Sequence, residues 1–99
     1  MDPIIYPSEV KSRLENGEKL TIIDVREDEE VAQGMIPTAV HIRLHDLPHR
    51  HNEIPESEEI ILVCRSGGRS GTAQDYLDSL GYTGLRNMVG GMLEWVTLD

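Results

Sequence analysis

The chain has one cysteine, half as many basic as acidic side chains, and no long apolar run. Each shortage closes a class of function. The lone cysteine, Cys64, cannot form an internal disulfide. Nine basic residues against eighteen acidic ones leave a formal net charge of -9, which repels phosphate backbones and anionic lipid surfaces. Nucleic acid and membranes are therefore not expected as partners. No stretch reaches the roughly 18 apolar residues that a spanning helix needs. The chain opens Met-Asp-Pro, with no basic stretch and apolar run of the secretory kind, so a cytoplasmic location is expected. Neither an internal repeat nor a low-complexity segment suggests a linker.

What is present suits one globular unit. Ninety-nine residues with 38% hydrophobic and 27% charged side chains can build a single core, and the expected organisation is one domain over residues 1–99. Nothing in the pattern fixes the oligomeric state, and a monomer is the expectation. The charge is uneven: residues 1–63 carry a net -8 and residues 64–99 a net -1. Within the second part, Cys64-Arg65-Ser66-Gly67-Gly68-Arg69-Ser70 holds two arginines and no acid, which marks it for a small anion.

Apolar runs alternate with helical patterns. Ser8 to Asn16, between Pro7 and Gly17, reads as a short helix with Val10 and Leu14 on one face. Leu20 to Val25 and Glu59 to Val63 are apolar without alternation, as in strands buried on both faces. Glu27 to Gln33 suits a short helix with a solvated acidic start. Ala39 to Ile42 and Leu85 to Met88 read as further strands. A helix starting near Ser70 carries Ala73, Tyr76, Leu77 and Leu80 to Gly81, and Met92 to Val96 reads as a closing turn. Between them Arg43 to Pro55 is polar and His-rich, with Pro48 and Pro55 limiting any regular helix. The alternation predicts an α/β fold with a mostly parallel sheet flanked by helices. Ligands in such folds bind beyond the carboxyl ends of strands, where Cys64 stands.

The residues after Cys64 suit an anion cradle. Gly67 and Gly68 let the backbone curl with its N–H groups inward, Arg65 and Arg69 add charge, and Ser66 and Ser70 add hydroxyl donors. The N-terminus of the next helix points to the same place. Such surroundings favour the thiolate, the nucleophilic form of cysteine. A buried structural cysteine would need neither the glycine pair nor the arginines.

Three motifs in order resemble the rhodanese-like domain family: Ile23-Asp24-Val25-Arg26-Glu27, the Cys64 to Ser70 loop, and Asn87-Met88-Val89-Gly90-Gly91-Met92-Leu93-Glu94-Trp95. In Gly34-Met35-Ile36-Pro37-Thr38-Ala39, Met35 and Thr38 stand where the family usually has His and Gly. The resemblance implies a five-stranded sheet and a thiosulfate sulfurtransferase. Cys64 would be catalytic, taking sulfur from a small anionic donor as a persulfide. Arg65, Ser66, Gly67, Gly68, Arg69 and Ser70 would bind the donor. The acceptor would be an external thiol, cyanide or a partner protein, because the chain has no second thiol. No cofactor and no metal are implied.

Two rivals differ in kind. A non-turnover relay or sensing module would pass the persulfide sulfur to a partner protein. A cysteine-dependent phosphatase or arsenate reductase resembles Cys-x5-Arg, whereas Arg69 follows Cys64 by five positions. His41, His45, His49 and His51 lie close in sequence, but Pro48 breaks a helix that would align them, so no metal site is expected. Asp24 and Arg26 read as a structural polar pair.

Overall fold

The structure is a computed structural model that describes residues 1–98. Five strands, β1 (Ile4–Ile5), β2 (Ile22–Asp24), β3 (Val40–His41), β4 (Ile60–Val63) and β5 (Leu85–Met88), form one sheet in the order β1-β5-β4-β2-β3. Every pairing is parallel, so the expected "mostly parallel" sheet is wholly so. Parallel neighbours need crossovers, and helices supply them. These are α1 (Pro7–Glu15), α2 (Asp28–Val31), α3 (Leu47–Arg50) and α4 (Gly68–Ser79), while α5 (Gly91–Trp95) follows the last strand. Among the described residues no helix is long and apolar enough to cross a membrane.

Side chains alternate across β4 and divide the core in two. Ile60, Leu62 and Cys64 pack with Ala73 and Leu77 of α4, while Ile61 and Val63 pack with Val10 of α1 and Met92 of α5. This explains the unbroken apolar run: both faces of the central strand are covered. Cys64 continues the strand's two-residue period onto the α4 side. The strand β2 leads outward to β3 on one side, and β4 leads to β5 on the other. The crevice between their carboxyl ends is therefore the topological switch point.

Several local readings change. The two-residue edge strand β1, paired with β5, is too short for a periodic signal. Between β3 and β4 the proline-limited segment forms short turns, Leu44–Asp46 and His51–Glu53, around the four-residue α3, where Pro48 sits in the first turn and has no N–H to leave unpaired. Leu80 lies past the end of α4 and is 45% exposed, so it leaves the apolar stripe. Thr38 has φ 71°, a left-handed conformation that suits the glycine usual there better than a β-branched residue.

Candidate active site

The strand β4 delivers Cys64 to its carboxyl end, and the chain turns through Arg65 and Ser66 to Gly67, whose φ of 113° caps α4. The helix thus begins at Gly68 rather than near Ser70. This shift matters, because the first turn of α4 becomes part of the loop. The Gly67 N–H donates to Cys64 Sγ at 3.0 Å, and the Ser70 hydroxyl lies 3.3 Å from the same sulfur. Burial raises the Cys64 pKa, but the Ser70 hydroxyl and the amides of Ser70, Gly67 and Ser66 outweigh it and bring the thiol below its ordinary value. With Cys64 only 1% exposed, these donors stabilise the thiolate in place of water.

Ser70 is buried and has one proton for two acceptors. Its oxygen lies 2.5 Å from Asn87 Oδ1, while the Asn87 side-chain amide donates to the Gly67 carbonyl at 3.0 Å. Asn87, on β5, therefore braces both groups that donate to the sulfur. Sequence reasoning saw Asn87 only as part of a C-terminal signature, since no local pattern connects residue 87 to residue 70. In Ser70→Ala the thiolate loses a hydrogen bond to a charged group, worth about 1.5–3 kcal/mol. The acid limb of the alkylation rate against pH should move to higher pH, with rates on that limb falling roughly tenfold or more. A profile superimposable on the wild type would mean that the Ser70 proton stays with Asn87.

The loop's two arginines part company. Arg69 directs both terminal nitrogens to Glu30 on α2, at 2.6 and 2.8 Å, whereas Arg65 is exposed and forms no side-chain hydrogen bond or ion pair among the described residues. The cationic pair expected from the loop is thus one free charge and one neutralised charge. Glu30 is correspondingly not a solvated helix start. It also accepts the Glu27 N–H at 3.0 Å in a capping box, a Glu-x-x-Glu spacing in place of the usual Ser or Thr start. The Arg69 hydrogen bonds, against the opposing effect of burial, take the Glu30 carboxyl from 4.5 to about 2. The pair's contribution is therefore complete above pH 4.5 and is lost as pH falls towards 2.

Behind this rim Arg26 and Asp24 form the anticipated buried pair, with contacts from 2.7 to 3.1 Å. Arg26 also donates to the carbonyls of Glu30 and Gly34, which anchors α2 beside the loop. On the other side α5 docks onto the loop backbone: Met92 N–H donates to the Cys64 carbonyl and Leu93 N–H to that of Arg65. The histidines are dispersed into separate contacts, His41 with the Arg26 carbonyl and His51 with the Tyr82 hydroxyl.

The model of the Rhodanese-like domain matches residues 6–98. The chain belongs to the rhodanese-like domain family. This rhodanese-like domain is 46% identical to YtwF of Bacillus subtilis, over 92% of this chain and 87% of that one. It is 40% identical to a sulfurtransferase of Allochromatium vinosum, over 87% of this chain and 80% of the relative. A rhodanese-like domain protein from Staphylococcus aureus superposes with a TM-score of 0.87 at 35% identity, covering 95% of this chain and 91% of its own. The all-parallel five-stranded architecture is thus that of rhodanese-like folds, and the family supports sulfur transfer.

Proposed function

We propose that this rhodanese-like domain is a thiosulfate sulfurtransferase working through a persulfide on Cys64. The observation that carries the reading is the sulfur itself, held by the Gly67 N–H and Ser70 at the start of α4. The Cys64 thiolate attacks the outer sulfur of thiosulfate. A new sulfur–sulfur bond forms at Sγ, the donor's own bond breaks, and sulfite leaves with the electron pair. Ser66, Gly67, Gly68 and Ser70 line the path of the transferred sulfur, and Arg65 steadies the anionic donor and the departing sulfite. Arg69 acts from its pair with Glu30, fixing the rim of the loop.

The second half returns the thiolate. An external thiol or cyanide attacks the outer sulfur of the persulfide, giving a new persulfide or thiocyanate, in a two-step exchange. The single cysteine also suits a relay, in which the persulfide waits for a partner protein's thiol. A phosphatase reading is disfavoured further, because Arg69 is committed to a carboxylate.

Intact-mass measurement after incubation with thiosulfate tests the scheme. The wild type is expected to gain one sulfur atom that cyanide or a thiol removes, and Cys64→Ser to gain none. Sulfur gain undiminished in Cys64→Ser, or none on the wild type with any sulfane donor, would defeat the reading. A persulfide that a protein thiol discharges, while cyanide and small thiols do not, would select the relay.

A further inference from the structure

Three guanidinium groups surround the mouth of the cysteine loop, and two are already balanced. Arg26 is bonded to Asp24 and Arg69 to Glu30, which leaves Arg65 as the one free cation there among the described residues. Beside Arg65 a groove of about 240 Å³ runs between α2 and α5, with Glu30 and Arg26 on one wall and Met92, Leu93 and Val96 on the other. Its apolar wall is open, with Leu93 49% and Val96 70% exposed. Two successive amides in α5's first turn, those of Met92 and Leu93, are fixed to the Cys64 and Arg65 carbonyls, so the groove keeps its place relative to the sulfur. One unpaired positive charge, an ion pair whose charges cancel and an apolar wall do not match a small inorganic dianion. They match a singly charged group joined to an apolar one.

The geometry points to Glu30 as a specificity-determining residue: it withholds Arg69 from the donor, so that the site prefers a singly charged organic sulfane donor, its apolar substituent against Met92, Leu93 and Val96, over thiosulfate. This rests on the sulfurtransferase reading and names the donor class within it. With a thiosulfonate, RSO2S⁻, the Cys64 thiolate attacks the outer sulfur. The new bond forms at Sγ, the donor's sulfur–sulfur bond breaks, and the sulfinate RSO2⁻ leaves with the electron pair, so one monoanion enters, one departs, and the remaining negative charge passes from the thiolate to the persulfide. Paired with Glu30, Arg69 offers no net charge to the donor; released, it would attract a dianion about twice as strongly as a monoanion at the same distance. The effect weakens as salt rises.

The test compares second-order rates of sulfur gain from thiosulfate and from benzenethiosulfonate at low ionic strength. Glu30→Gln keeps an oxygen for the Glu27 N–H and frees Arg69. It should raise the thiosulfate rate about tenfold, equivalent to about 1.4 kcal/mol, and the benzenethiosulfonate rate only about threefold, as half the charge predicts. Arg69→Met, which bares the carboxylate, should move the thiosulfate rate in the opposite direction. Leu93→Ala should slow benzenethiosulfonate about tenfold and leave thiosulfate within twofold. Opposite signs separate a charge effect from a loosened loop, which would slow both donors in every variant. The proposal is overturned if Glu30→Gln leaves the thiosulfate rate unchanged or lowers it. It is also overturned if Leu93→Ala alters only discharge of the persulfide by an acceptor thiol. A wild type that gains sulfur from neither donor would instead defeat the sulfurtransferase reading beneath it.

Discussion

Replacing Arg26 with methionine is expected to cost the fold about 3–5 kcal/mol, the usual penalty for removing one partner of a buried ion pair. Asp24 is fully buried, and Arg26 supplies its carboxylate with three side-chain contacts and one backbone N–H. Without the guanidinium that charge has no counter-ion and no route to water. The Gly34 carbonyl loses its side-chain donor as well, and the Glu30 carbonyl keeps only the Gln33 N–H. Against a total stability of about 5–15 kcal/mol for a domain, such a loss leaves a measurable unfolded population. Urea unfolding of Arg26→Met, Asp24→Leu and the double variant checks it. The double variant should be more stable than Arg26→Met, because it removes the stranded charge. A midpoint for Arg26→Met within error of the wild type would show that the pair is not needed.

Gly91→Ala should abolish most sulfur transfer while leaving a folded protein. Gly91 has φ 56°, and a methyl group there would lie 2.5 Å from the Arg65 carbonyl carbon and 2.7 Å from the Cys64 carbonyl oxygen. All the opposing atoms are backbone, so something must shift, and what shifts is the peptide that carries the nucleophile. The Met92 and Leu93 N–H groups bond to the same two carbonyls, so relief by moving α5 breaks the docking that holds the loop. A displacement of about 1 Å at a reacting group costs on the order of a hundredfold in rate. Gly81→Ala is the control: its φ is 95°, yet nothing stands within 4 Å of the added methyl. Both variants pay backbone strain of about 1–2 kcal/mol, but only Gly91→Ala should lose persulfide formation. Equal activity in the two would sink the steric account.

Much of the sheet was readable because its strands are covered on both faces, and unbroken apolar runs such as Ile60 to Val63 mark such strands. The edge strand Ile4–Ile5 carries no comparable pattern. It exists because the Pro3 carbonyl beside it and its own Ile5 carbonyl accept the N–H groups of Asn87 in the distant β5 and of Val89 just past it. Helix boundaries were read less well where the cap was unusual. Gly67 caps α4 in a left-handed conformation with no side-chain bond, so Ser70, near which the sequence places the start, lies inside the first turn.

At the site the division is similar. Sequence by itself determined the α/β class, the place of Cys64 at a strand end, and the concentration of glycines, serines and arginines after it. These are local facts, set by residue type and spacing. Tertiary structure decided what each group is free to do. Arg69 and Arg65 look equivalent in the chain, yet α2 brings Glu30 to one and leaves the other open. Ser70 looks like a donor to the sulfur, yet β5 brings Asn87 to compete for its one proton. A charge or a proton is spent on the nearest partner in space, and nearness across 39 residues or 17 is a property of the fold.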